Sequence, residues 1–117
     1  MPRIHLFRVY DDGPPPPGRH VLVERLWPRG VRRDELPLDA WLKDVAPSTG
    51  LRQWFGHDPE RWEEFRSRYA AELDARPDAW RPLLEGDADV TLLYSSGDRE
   101  HNNAVALRDY LLERAGG

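Results

Sequence analysis

Two arginines, Arg25 and Arg29, bracket Leu26-Trp27-Pro28 at the end of an apolar run, and Ser95-Ser96-Gly97-Asp98 closes another such run near the far end of the chain. Guanidinium groups recognise phosphate or carboxylate through paired hydrogen bonds. A helix expected directly after Asp98 would add free backbone N–H groups, which favour an anion. Together these residues predict a pocket for a small anionic ligand such as a nucleotide or sugar phosphate. The alternative is that Arg25 and Arg29 pair with Glu24, Asp44 or Asp98 and only fix the turn, since structural ion pairs use the same residue types. Ser-Ser-Gly by itself falls far short of a Walker loop.

Two histidines are candidate proton carriers. His57 precedes Asp58 at the expected start of a helix, and it either acts as a general acid or base or simply closes the preceding helix. His101 lies with Asn102 and Asn103 close after Ser95 and Ser96, so a Ser–His relation is conceivable, although no third group orients the ring. The two histidines lack the paired spacing of a zinc helix motif, and no metal site is expected. Lys43 is the sole lysine among 17 basic residues. It is a solvated cation unless burial shifts its pKa. Trp27, held in a Pro-Gly turn, is either core packing or a stacking wall.

Composition removes several classes of mechanism. There is no cysteine, which excludes disulfides, thiolate zinc sites and cysteine nucleophiles. The net charge of -4 argues against a general nucleic-acid binder. No apolar run is long enough for a membrane span and the N-terminus has no signal-peptide core, so a cytoplasmic protein is expected. The cofactor is left open.

These side chains need a scaffold. Ile4–Tyr10 reads as a first strand, ended by Asp11-Asp12-Gly13 and by an exposed polyproline loop over Pro14–Pro17. His20–Leu26 is a second, central strand, broken by Trp27-Pro28-Arg29-Gly30. Leu38, Trp41, Leu42 and Val45 recur at helical spacing, with Pro37 suited to the first turn. Ser48 caps a short helix to about Phe55. Asp58-Pro59-Glu60 starts a longer one to about Ala75, with Trp62, Phe65, Tyr69 and Leu73 inward. Trp80–Glu85 forms another short helix. Asp89–Tyr94 is a third strand, apolar on both faces, and Arg99–Arg114 is a helix capped by Asp98. A long helical crossover makes the second and third strands parallel. The short loop between the first two permits a hairpin. The expectation is a single α/β domain over residues 1–117, a small parallel or mixed three-stranded sheet flanked by helices. Parallel strands bring Arg25 and Arg29 to the same carboxyl edge as Ser95–Asp98, where open α/β sheets bind ligands.

Val21–Gly30 (VLVERLWPRG), Trp41–Leu51 (WLKDVAPSTGL), Trp54–Phe65 (WFGHDPERWEEF) and Leu92–Leu107 (LLYSSGDREHNNAVAL) also resemble, in matching order, the YeaO-like branch of domain-of-unknown-function family 488. The resemblance covers nearly the whole chain and implies a small bacterial α/β protein without a settled activity. Arg25, Arg29, Lys43, Ser48, His57, Asp58, Asp98, His101 and Asn102 fall within the matching segments. Larger members of the wider family carry a Cys-His-Arg stretch after the last strand. The similar stretch here is His101-Asn102-Asn103-Ala104, with Asn102 in place of the thiol, so a thiol-dependent mechanism cannot operate in this chain.

Two functions follow as expectations. One is an enzyme, or degenerate enzyme, acting on a small anionic metabolite. Arg25, Arg29, Lys43, Ser95, Ser96, Asp98 and Asn102 would bind it, and His57 or His101 would move a proton. The other is a non-catalytic module that presents the same edge to a protein partner.

Overall fold

Residues 3–36 and 38–116 are described in a computed structural model of the chain. The expected helix start at Pro37 falls outside them. Among the described residues four strands form one sheet: β1 (Ile4–Arg8), β2 (Arg19–Leu22), β3 (Ala40–Trp41) and β4 (Val90–Tyr94), in the order β1-β4-β2-β3. Every neighbouring pair is parallel. β4 lies in the interior and is buried along its whole length, as its unbroken apolar run requires.

The sheet therefore has four strands, where three were expected, and it is not mixed. β1 and β2 do not form a hairpin, because β4 lies between them. Residues 9–18 carry the chain from the carboxyl end of β1 back to the start of β2. The extended proline segment suits this return, since polyproline backbone covers about 3.1 Å per residue. Its carbonyls are anchored: Pro16 accepts from the His20 ring (2.7 Å) and Pro17 from the Thr91 hydroxyl (3.2 Å). Gly18 closes it at φ 96°, where a Cβ would stand 2.1 Å from the Asp89 carbonyl oxygen.

The expected helix over Leu38–Val45 is instead β3 followed by a 3₁₀ turn at Lys43–Val45. The apolar side chains there serve two cores. Ala40, Leu42 and Val45 pack on one side of the sheet, Leu38 and Trp41 on the other. Alternation through Ala40, Trp41 and Leu42 is the period of a strand.

The helices α1 (Thr49–Phe55), α2 (Trp62–Asp74), α3 (Pro77–Trp80) and α4 (Asn103–Gly116) belong to the larger core. There Phe65, Tyr69, Leu73, Leu107 and Leu111 meet Val21, Val23, Val90, Leu92 and Tyr94. Leu22 and Leu93 face the other way, under Leu36, Trp27, Val31 and Trp41. Helices thus cover one face, and the segment after β2 covers the other. None of the described helices is long and apolar enough to cross a membrane.

α4 starts at Asn103, later than expected. Asp98 accepts the N–H groups of Glu100 (3.0 Å) and His101 (2.9 Å), which closes a tight turn. Asn102 then caps the helix, its Oδ1 accepting the Val105 N–H at 2.9 Å.

Candidate functional site

β2 and β4 end side by side, and their following segments are tied together. The Ser95 N–H and hydroxyl both donate to Glu24 Oε1, at 2.9 and 3.2 Å. Asn103 Nδ2 donates to the Val23 carbonyl at 2.8 Å. The Ser95–Asn102 loop is also held from the far side, by Arg8 Nε on the Ser96 carbonyl (2.8 Å) and by a two-pronged Arg99–Asp11 pair (2.6 and 2.8 Å). The Arg99 guanidinium holds the Asp11 carboxyl below its usual range.

These ties leave a cavity of about 530 Å3 between the strand ends and α1. Glu24, Ser95, Ser96, Asn102 and Asn103 line it from the sheet side, Thr49, Arg52, Gln53 and His57 from the α1 side. Phe55 and Phe65, stacked at 4.4 Å, form the apolar floor, and Leu26, 67% exposed, stands at the edge. α1 is set in place by Ser48, whose hydroxyl accepts the Leu51 N–H while its own N–H and O–H donate to the two Glu72 oxygens at 2.9 and 2.6 Å. Gly56 and His57 both take left-handed backbone, φ 53° and 58°. Histidine tolerates that region better than most side chains. The reversal puts His57 on the cavity wall before Asp58 caps the next turn.

Burial pushes the Glu24 carboxyl above its ordinary pKa. The Ser95 N–H and hydroxyl, then the Arg52 and His57 charges, pull it back without cancelling the rise. Arg52 makes no ion pair among the described residues.

The cavity thus gathers His57, Ser95, Ser96 and Asn102 of the residues singled out in the sequence, and leaves the others elsewhere. Arg25 Nε and a terminal nitrogen donate to the Pro47 and Ala46 carbonyls, at 3.2 and 3.1 Å. Among the described residues it pairs with no acid. Arg29 is exposed away from the cavity, and its carbonyl accepts the Tyr10 hydroxyl at 2.7 Å. Lys43 sits 4.2 Å from the centre of the Trp41 ring. Trp27 packs edge-on against Trp41 at 5.4 Å and donates its indole N–H to Val31, so it is core and not a free stacking wall.

Asp98 and His101 belong to the turn before α4. His101 Nδ1 lies 3.0 Å from Asp98 Oδ2, and its ring stands edge-on to Trp62 at 5.3 Å. Burial raises the Asp98 carboxyl, but the His101 and Glu100 N–H groups and the His101 ring outweigh it, and the net shift is downward. The Ser–His relation does not form: Ser95 is bonded to Glu24, and Ser96 Oγ accepts the Asp98 N–H at 3.1 Å. Both ends of the Asn102 amide are used, on Asp98 and Val105.

Glu24 and Arg52 are the charged cavity residues that sequence reasoning missed. Glu24 had a usable signal, an acid directly after the apolar run Val21-Leu22-Val23, at the expected carboxyl edge. Arg52 had none beyond its place on a short capped helix. A second depression, about 280 Å3, lies between α2 and α4. It is remote from the strand ends, and there Arg66 is already shared between Glu63 and Asp109.

A family model described as "Inactive DUF488-N3 subclade" matches residues 3–116. Uncharacterized protein Rv3073c of Mycobacterium tuberculosis (strain ATCC 25618 / H37Rv) is 42% identical over 110 residues, covering 93% of each chain. Uncharacterized protein YeaO of Escherichia coli (strain K12) is 39% identical over 106 residues, 89% of this chain and 92% of its own. No solved structure gives a significant match. The match of this model over nearly the whole chain, together with the end-to-end similarity to these relatives, shows that the chain belongs to the DUF488 family, in the subclade that the model describes as inactive DUF488-N3.

Proposed function

We propose that this chain is a non-catalytic binding domain that takes a small metabolite by an anionic group, in the cavity at the carboxyl edge of the sheet. The observation that carries this reading is the cavity itself. Its 530 Å3 falls within the roughly 300–1,000 Å3 of small-molecule sites. It occupies the edge where α/β sheets bind ligands, and its one arginine is free of ion pairs among the described residues. Arg52 takes the place first given to Arg25 and Arg29 as the group that meets the anion, with His57 beside it.

Several features favour binding over turnover. The serine hydroxyls of the cavity are engaged by Glu24 and by the Asp98 N–H, and neither meets a histidine base. His101 is turned to Asp98. The subclade is itself described as inactive.

A panel of carboxylates, phosphates and nucleotides, followed by thermal shift and amide NMR, tests the reading. At least one anion is expected to raise the melting temperature and to shift the Ser95, Ser96 and Asn103 amides. Arg52 is exposed, so Arg52→Met should change stability by no more than about 0.5 kcal/mol. It should weaken binding roughly tenfold or more. An anion that binds equally well to Arg52→Met would remove the site from this cavity. Conversion of a bound ligand to product, followed by NMR, would replace the binding reading with an enzymatic one in which His57 carries the proton.

A further inference from the structure

Glu24 has one oxygen tied and one free. Oε1 accepts both Ser95 donors, which fills its two lone pairs. Oε2 accepts no hydrogen bond from the described residues. It is not sealed off either, because no buried side-chain polar atom among them lacks a partner. Glu24 lines the cavity, and Oε2 is the oxygen it has left for a ligand there.

That geometry selects among cationic partners. A guanidinium or amidine fork needs both carboxylate oxygens at once, and here one is used. A primary ammonium is a compact point charge that a single oxygen satisfies. The charge of the wall points the same way. That wall carries one carboxylate, Glu24, and one guanidinium, Arg52, with the His57 ring on the same wall. A phosphate dianion would face a single guanidinium with a carboxylate close by. A zwitterion would satisfy both walls. The Phe55–Phe65 stack and Leu26 leave an apolar surface for the rest of the molecule.

We infer that the ligand is a small zwitterion, its primary ammonium on Glu24 Oε2 and its carboxylate on Arg52: a free α-amino acid or a short peptide. This rests on the binding reading above and names the ligand class of the same cavity.

The test compares matched compounds by calorimetry and amide NMR on the intact chain. The proteinogenic α-amino acids are each measured beside the carboxylate that lacks the amine, such as hydrocinnamate for phenylalanine and isocaproate for leucine. Dileucine and diphenylalanine separate a peptide from a free amino acid. At least one amino acid or dipeptide should bind roughly tenfold or more tightly than its deaminated partner. Glu24→Gln keeps an acceptor for Ser95 and should abolish that preference while still binding the carboxylate. Arg52→Met should weaken the zwitterion and leave its advantage over the deaminated compound intact.

Carboxylates that bind as well as the amino acids, or an amine preference that survives Glu24→Gln, would overturn the inference and leave the anion site standing. Binding by no compound of either kind would overturn the inference, and the anion site falls with it only if the phosphates and nucleotides of the wider panel fail as well.

Discussion

Arg25 and Arg29 are four positions apart and chemically identical, yet the fold uses them differently. Arg25 crosses to the carbonyls of Ala46 and Pro47, just ahead of the Ser48 cap of α1, and so joins the end of β2 to the start of the helical layer. Arg29 projects into solvent from a turn. Truncating the two should therefore give different results. Hydrogen bonds from a charged donor contribute about 1.5–3 kcal/mol when well shielded. Arg25 is partly exposed, so Arg25→Ala is expected to cost roughly 1–2 kcal/mol in urea denaturation. Arg29→Ala should stay within about 0.5 kcal/mol. Equal losses would mean that the Arg25 contacts carry no weight. From sequence alone both read either as anion ligands or as partners of nearby acids, because the type and spacing of a guanidinium do not reveal whether backbone carbonyls lie within its reach.

Elements were most legible where the chemistry of their ends is local. Asp58-Pro59 and Ser48 mark helix starts by residues that accept an N–H two or three positions on, and both do so in the fold. Ser48 also carries a long-range load, since Glu72 of α2 receives its N–H and O–H. Ser48→Ala removes the cap and one Glu72 partner together. The expected loss is about 1–2 kcal/mol, at the upper end for a cap, read as a lower urea midpoint with an unchanged slope. Glu72→Gln keeps hydrogen bonding to Ser48 and should lose less. If Ser48→Ala is neutral, α1 is held by Leu51 and Phe55 alone. Elements whose identity depends on what they pack against were less legible. The Leu38–Val45 spacing matches a helix when one core is assumed, and a strand once residues on both sides of the sheet edge are counted. Strand order was likewise beyond reach, because β1 and β2 are separated by a strand that comes much later in the chain.

At the scale of the whole molecule, the cavity sets Glu24 against the fold that holds it. Most perturbed carboxylates here are lowered: Asp11 by Arg99, Asp74 by Tyr110 and Arg114, Asp89 by His5. Each contributes stability that is present above its unfolded pKa, near the ordinary carboxylate value of 3.8, and lost as the pH falls through its lower folded value. All three are solvent-accessible pairs, so the individual effects are small. Glu24 runs the opposite way. Its folded pKa lies above the ordinary glutamate value of 4.5, so the folded state binds the extra proton between the two. Stability from this group is complete below the unfolded value and declines as the pH rises through the folded one. Ionised Glu24 thus weakens the empty protein at neutral pH, as a carboxylate kept near an apolar floor should. Glu24→Gln removes the charge and keeps an acceptor for Ser95. Its melting temperature is expected to exceed that of the wild type at pH 8, and the gap should close as the pH is lowered toward 4.5. A gap that is constant with pH, or that widens in acid, would show that Glu24 does not titrate in a buried setting. The expected result would mean that the residue best placed to receive a ligand's ammonium destabilises the unliganded fold, an opposition common where a site is built for binding.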